Sequence, residues 1–100
     1  MIIRVVPVAG LELQDAAAYY EELQVGLGRR FWQEADEHIL WLVQNPEVPR
    51  LRAGGYRRVN LRVFPYYIAY ILRGDVLWIL AIAHTHRRPK YWIERKPTTT

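Results

Sequence analysis

The sequence predicts an α+β domain in the order β-α-α-β-β-β: a two-helix hairpin on one face of a small, mainly antiparallel sheet, closed by a short C-terminal helical turn. Three observations predict it. The apolar period is helical between residues 9 and 45, it changes to two after residue 56, and Gly and Pro cluster where these stretches meet. One hundred residues bury enough surface for a single core, so the expected organisation is one domain over residues 1–100.

The opening "MIIRVVPV" is short and β-branched and is halted by Pro7, which reads as a strand of modest length. In "AGLELQDAAAYYEELQVGLG" the residues Leu13, Ala16, Ala17, Tyr20 and Leu23 recur at helical spacing. Glu21 and Glu22 face outward, and the Gly26–Gly28 segment stops the helix. A second helix runs through "RRFWQEADEHILWLVQN". Phe31, Ala35, Ile39 and Leu42 form its stripe, Trp32 and Val43 widen it, and Asn45 and Pro46 end it. The tight Gly-Leu-Gly connection makes the pair a hairpin.

"PEVPRLRAGGY" carries two prolines and a Gly-Gly pair and reads as a loop open to motion. In "YRRVNLRVF" the polar Arg58, Asn60 and Arg62 alternate with Val59, Leu61 and Val63, as on a strand with one wet face. Pro65 forces a turn or begins the next strand. "YYIAYIL" and "VLWILAIAH" are two further strands joined by Arg73-Gly74-Asp75, read as a hairpin turn. The last strand is apolar at nearly every position, as expected of a central strand covered on both sides. "RPKYWIER" reads as a short helical turn, and the threonine tail as frayed. A helical hairpin covers only one face of such a sheet, so part of the other stays open, and Arg58, Asn60 and Arg62 are its candidate occupants.

Charge is segregated along the chain. Residues 50–100 hold eleven Lys/Arg against two Asp/Glu, a local +9, while residues 1–49 hold three against eight, a local −5. A basic half of this kind suits a polyanion or an acidic protein segment; the plain alternative is a soluble, arginine-rich surface. With no cysteine there is no disulfide framework, thiolate nucleophile or thiolate zinc site. The N-terminus lacks an export signal, and the apolar run "VLWILAIA" is far shorter than the roughly twenty residues of a spanning helix. A cytoplasmic protein without membrane attachment is expected.

The segment "AIAHTHRRPKYW" concentrates the chemistry. His84 and His86 are two apart, so on a strand they share one side while Thr85 and Arg87 take the other. A histidine titrates at about 6.5 and can hold or release a proton near neutral pH. Phosphodiester cleavage needs a base, an acid and cations for the charge on phosphorus. His86, Tyr91 and the arginines could supply these without a metal; the other reading is a solvated strand end. A metal site lacks a third ligand: the remaining histidine, His38, lies on the acidic helix. No cofactor is implied. Tyr67, Tyr91 or Trp92 could stack on a base, although such residues more often pack with a polar handle.

Taken together, "PVAGLELQDAAAYYEEL", "GLGRRF", "NPEVPR", "RRVNLRVFPYYIAY" and "GDVLWILAIAHTHRRPKYW" resemble the RelE/ParE superfamily of type II toxin-antitoxin toxins, of the plasmid stabilisation kind, over Pro7 to Arg95. The resemblance implies a toxin that inhibits growth when free of a cognate antitoxin bearing an acidic segment. It implies one of two targets. ParE-like members poison DNA gyrase, whereas RelE-like members cut messenger RNA on the ribosome without metal. On the RelE pattern the basic sheet positions fall at Arg58, Asn60 and Tyr67, the arginine after the last strand at His86 beside Arg87, and the terminal aromatic at Tyr91 or Trp92. The replaced basic positions favour the gyrase-directed or an undefined inhibitory reading. An endonuclease would gather Arg58, Arg62, His84, His86, Arg87 and Tyr91 around the scissile phosphate.

Overall fold

The computed structural model describes residues 1–97; the expectation for the threonine tail lies outside them. Strand β1 (Ile2–Val5) leads into helix α1 (Pro7–Leu23) and helix α2 (Leu27–Gln44). Strands β2 (Arg57–Asn60), β3 (Tyr66–Arg73) and β4 (Val76–His84) follow, then a single 3₁₀ turn at Ile93–Arg95. The sheet order is β1-β4-β3-β2, parallel between β1 and β4 and antiparallel elsewhere. The long apolar strand is indeed central, because β1 and β3 flank it.

The boundaries shift where proline and glycine act differently from the sequence expectation. Pro7 does not merely halt the strand; it starts α1, because the first helical position needs no N–H donor and favours proline's fixed φ. Gly28 is not part of a stop but lies inside α2, where only glycine fits. A Cβ there would sit 2.6 Å from the Ala17 carbonyl oxygen of α1. The turn itself rests on Gly26, at φ 90°. The Glu21 carboxylate accepts the N–H groups of Gly26 at 3.0 Å and Gly28 at 2.9 Å, capping α2 in place of an N-cap side chain. These hydrogen bonds, the one from Gly26 first, hold the Glu21 pKa below its usual value.

The two helices pack on one face of the sheet through an aromatic cluster. Tyr20 of α1 stacks on Phe31 of α2 at 5.6 Å, and Phe31 meets Phe64 and Tyr66, each at 5.0 Å. Phe31, Ala35 and Leu42 of the expected α2 stripe are buried and Ile39 and Val43 half-buried, but Trp32, expected to widen it, is exposed, as is Leu23 at the end of the expected α1 stripe.

Strand β2 is shorter than its alternation suggested. Pairing stops at Asn60–Tyr67, and residues 61–65 form a bend, since Pro65 cannot donate to a ladder and restricts Phe64 before it. The bend is held from below by Glu34 of α2. Its buried carboxylate accepts the backbone N–H groups of Arg62 and Val63. Arg62 therefore leaves the strand and does not share a face with Arg58 and Asn60. The loop before β2 is tied down as well: Arg57 donates to the Pro49 carbonyl at 2.7 Å and Tyr70 to that of Pro46 at 2.7 Å. Burial pushes the Tyr70 pKa up to about 12.

Among the described residues, no helix is long and apolar enough to cross a membrane.

Candidate functional site

The face of each strand residue follows from the antiparallel register, in which directly opposed residues share a side. Tyr66 opposes His84 and packs on Phe31, so His84 faces the helices. Arg58 opposes Ala69 and Asn60 opposes Tyr67, one position out of phase, so both lie on the far face. There the Arg58 guanidinium lies 4.2 Å from the centre of the Tyr67 ring. The sequence-predicted cations thus do not form a single wall. Arg58 and His84 are on opposite sides of the sheet, and Arg62 sits in the bend, where it lines a hollow with Glu37, His38 and Trp41 of α2.

Past the end of β4 the chain turns. Thr85 and His86 are in the turn, so strand alternation does not order them. The two histidine rings nevertheless lie side by side, with centres 5.0 Å apart, because the His86 N–H donates to His84 Nδ1 at 3.0 Å. With Nδ1 accepting, the ring proton of neutral His84 sits on Nε2. Arg87 joins the His84 side rather than the opposite one. Both line a cleft of about 330 Å³ with Tyr66 and Ile82 of the sheet and Tyr91 beyond it. The facing wall is Glu12, Asp15, Ala16 and Tyr19 of α1.

Glu12 organises the base of this cleft. Beyond Ile79, β4 has no strand on its β1 side, because β1 ends at Val5 and the chain swings into α1. Glu12 fills the vacant ladder position by accepting the Ile82 N–H at 3.2 Å, while Arg95 donates to the Leu80 carbonyl at 3.1 Å. The two side chains pair at 2.9 Å, and the Tyr91 hydroxyl donates to Glu12 at 2.5 Å. Burial first, then the hydrogen bond to Glu12, drives the Tyr91 pKa far above its ordinary value. Its hydroxyl holds its proton and points into an internal contact.

The same segment wraps round the sheet edge. Trp92 is fully buried on the far face, donating to the Tyr67 hydroxyl at 2.9 Å and meeting the Tyr56 ring edge-on at 4.7 Å. The face expected to stay open is therefore partly closed by the C-terminal arm, and Trp92 is a packing residue. Arg87 lies over the Tyr91 ring at 4.0 Å, and Lys90, in a left-handed conformation at φ 61°, is 5.8 Å from the centre of Tyr56. Arg87, Arg88 and Lys90 remain exposed and give the arm a cationic crest. Among the described residues no group of three or more His, Cys, Asp or Glu side chains converges as metal ligands.

Sequence reasoning missed Glu12, Asp15 and Tyr19. Their spacing of three and then four residues on a helix was a usable signal, since it lines them up beside the buried stripe. What they would face could not be read from the helix alone.

The model of the family described as the ParE toxin of the type II toxin-antitoxin system parDE matches residues 3–89. No curated protein matches the chain. Among solved structures, a chain of the chromosomal ParDE TA system from P. aeruginosa superposes with a TM-score of 0.73. It is 21% identical, and the match covers 86% of this chain and 97% of that one.

Proposed function

Since the chain belongs to the ParE toxin family of type II toxin-antitoxin systems, it is a toxin with a cognate antitoxin, and we propose that it arrests growth by binding its target rather than by cutting RNA. DNA gyrase is the target this reading favours. The observation that carries it is the separation of the nuclease candidates. Arg58 is on the far face, His84 on the helix face and Arg62 in the bend, while the Tyr91 hydroxyl is committed to Glu12. Three of the six candidates, Arg58, Arg62 and the Tyr91 hydroxyl, are thus unavailable to a phosphate held at His84, His86 and Arg87, which leaves a nuclease site short of the cations and the acid expected of it.

The surface available to a protein target is the helical hairpin with the cationic crest of the arm. The hairpin exposes large apolar side chains, among them Leu23, Val25, Trp32, Leu40 and Trp41. An antitoxin with an acidic segment suits the basic half through charge complementarity, which speeds encounter and selects the partner.

The pair His84–His86 beside Arg87 supports the second reading, a metal-independent ribosome-dependent endonuclease. One experiment separates them. The toxin is induced in growing cells, with and without the adjacent small gene, while transcript ends and the DNA-damage response are followed; purified toxin is added to a gyrase supercoiling assay. Inhibited supercoiling with intact transcripts is expected. Coding-frame cleavage that is lost in His86→Ala would refute the binding reading, and normal growth under induction would refute toxicity itself.

A further inference from the structure

The cleft between α1 and the end of β4 has an α1 wall, Glu12, Asp15 and Tyr19, that neither growth-arrest reading uses. Its walls are aromatic: Tyr19 on the helix side, with Tyr66 and His84 opposite, the last two edge-to-face at 5.0 Å. Its volume of about 330 Å³ is at the small end of the ~300–1,000 Å³ typical of small-molecule sites. Two carboxylates and one guanidinium line it, and their states differ. Glu12 is saturated by Ile82, Tyr91 and Arg95. Asp15, by contrast, is exposed and has no ion pair or hydrogen-bond partner among the described residues. Arg87 likewise has no carboxylate partner among them and lies over the Tyr91 ring at 4.0 Å, leaving its guanidinium available to an anion at the mouth.

A ligand that satisfies all of this has a planar aromatic body, a donor edge for Asp15 and an anionic group for Arg87. We propose that the cleft binds a guanine nucleotide. The base enters between Tyr19 and the Tyr66–His84 wall, and the phosphate meets Arg87. Guanine is selected because its N1–H and N2–H groups give a carboxylate two parallel donors. Adenine offers one donor beside an acceptor that Asp15 repels, and cytosine is the smaller ring. Asp15 favours the guanine nucleotide over an acidic peptide carrying an aromatic side chain, the other occupant of comparable shape, because an indole or phenol offers the carboxylate one donor where guanine offers two. Tyr19 and Asp15, which read the base, belong to neither growth-arrest reading, whereas Arg87 is shared with both.

The test is calorimetric titration of the full-length chain with GMP, AMP, CMP and guanosine, repeated for Asp15→Asn and Arg87→Gln, with circular dichroism to confirm that each variant folds. Both positions are exposed, so folding is expected to survive. GMP is expected to bind about tenfold or more tighter than AMP or CMP, the discrimination typical of a two-donor contact. Asp15→Asn should erase that preference, and Arg87→Gln should bring GMP down to the affinity of guanosine. A tetranucleotide with one internal guanosine identifies the source: binding equal to GMP means a single strand, weaker binding a free nucleotide, and either retains the guanine site. Three outcomes overturn the proposal. They are equal affinity for all three nucleotides, GMP binding untouched by Asp15→Asn, or no GMP binding up to ~1 mM, whether or not acetyl-Trp-Glu-amide binds in its place.

Discussion

Replacing Glu12 by glutamine should loosen the C-terminal arm while leaving the helices and sheet in place. The Glu12 carboxylate accepts four hydrogen bonds, from the Ile82 N–H at 3.2 Å, the Tyr91 hydroxyl at 2.5 Å and two Arg95 nitrogens at 2.9 and 3.2 Å. Glutamine keeps one acceptor oxygen and turns an NH₂ group toward donors, so about half of these bonds are lost together with the charge. Charge-assisted hydrogen bonds contribute ~1.5–3 kcal/mol each when both partners are sheltered. The Arg95 and Glu12 side chains are 21% and 16% exposed, and Arg95 can recover some hydration, so the expected loss is about 2–3 kcal/mol. Urea unfolding followed by tryptophan fluorescence should show a midpoint lower by on the order of 1–2 M at unchanged slope. Because Trp92 is one of four tryptophans and fully buried, native fluorescence should also shift to the red. Tyr91→Phe provides the cycle partner: a coupling with Glu12→Gln of about 1 kcal/mol is expected. A destabilisation below ~0.5 kcal/mol with zero coupling would mean that the arm is held by Trp92 alone.

Three further outcomes follow from the same contacts. Gly28→Ala should destabilise the protein by about 1–3 kcal/mol, against the ~1 kcal/mol gain usual in a helix, because the new Cβ meets the Ala17 carbonyl at 2.6 Å; thermal unfolding reads the sign directly. Glu21 contributes stability that is fully present above its unfolded pKa of 4.5 and is lost as pH falls from there through its depressed folded value. The stability-versus-pH curve of the wild type should therefore fall more steeply below pH 4.5 than that of Glu21→Gln; parallel curves would remove the helix cap from the account. Glu34→Ala strands the N–H groups of Arg62 and Val63 in a buried bend and should cost about 2–4 kcal/mol, with amide exchange accelerated at those two residues above all.

How much was legible in the sequence depends on the range of the interaction responsible. Helical and strand periodicity, the proline and glycine breaks and the apolar run of β4 are short-range, and they were enough for the element order, the centre of the α2 stripe without Trp32 at its margin, and the central strand. Local rules also misplaced what they could not weigh. Pro7 read as a stop because nothing nearby says whether a strand ends or a helix begins, and the alternation from Arg58 to Val63 hid a bend that only Pro65 and the distant Glu34 create.

The candidate site shows the same division more sharply. The sequence by itself determined that a basic, histidine-bearing turn follows a buried strand, since composition and period are properties of the chain. Only the tertiary structure decided which side of the sheet each group faces, because that depends on register, and one residue of phase separates Arg58 from His84. It also decided that Glu12, Asp15 and Tyr19 stand across from that turn, which is a matter of how α1 crosses β4. Contacts such as Glu12 to Arg95 join residues far apart in the chain. No local pattern encodes them, and packing alone selects them.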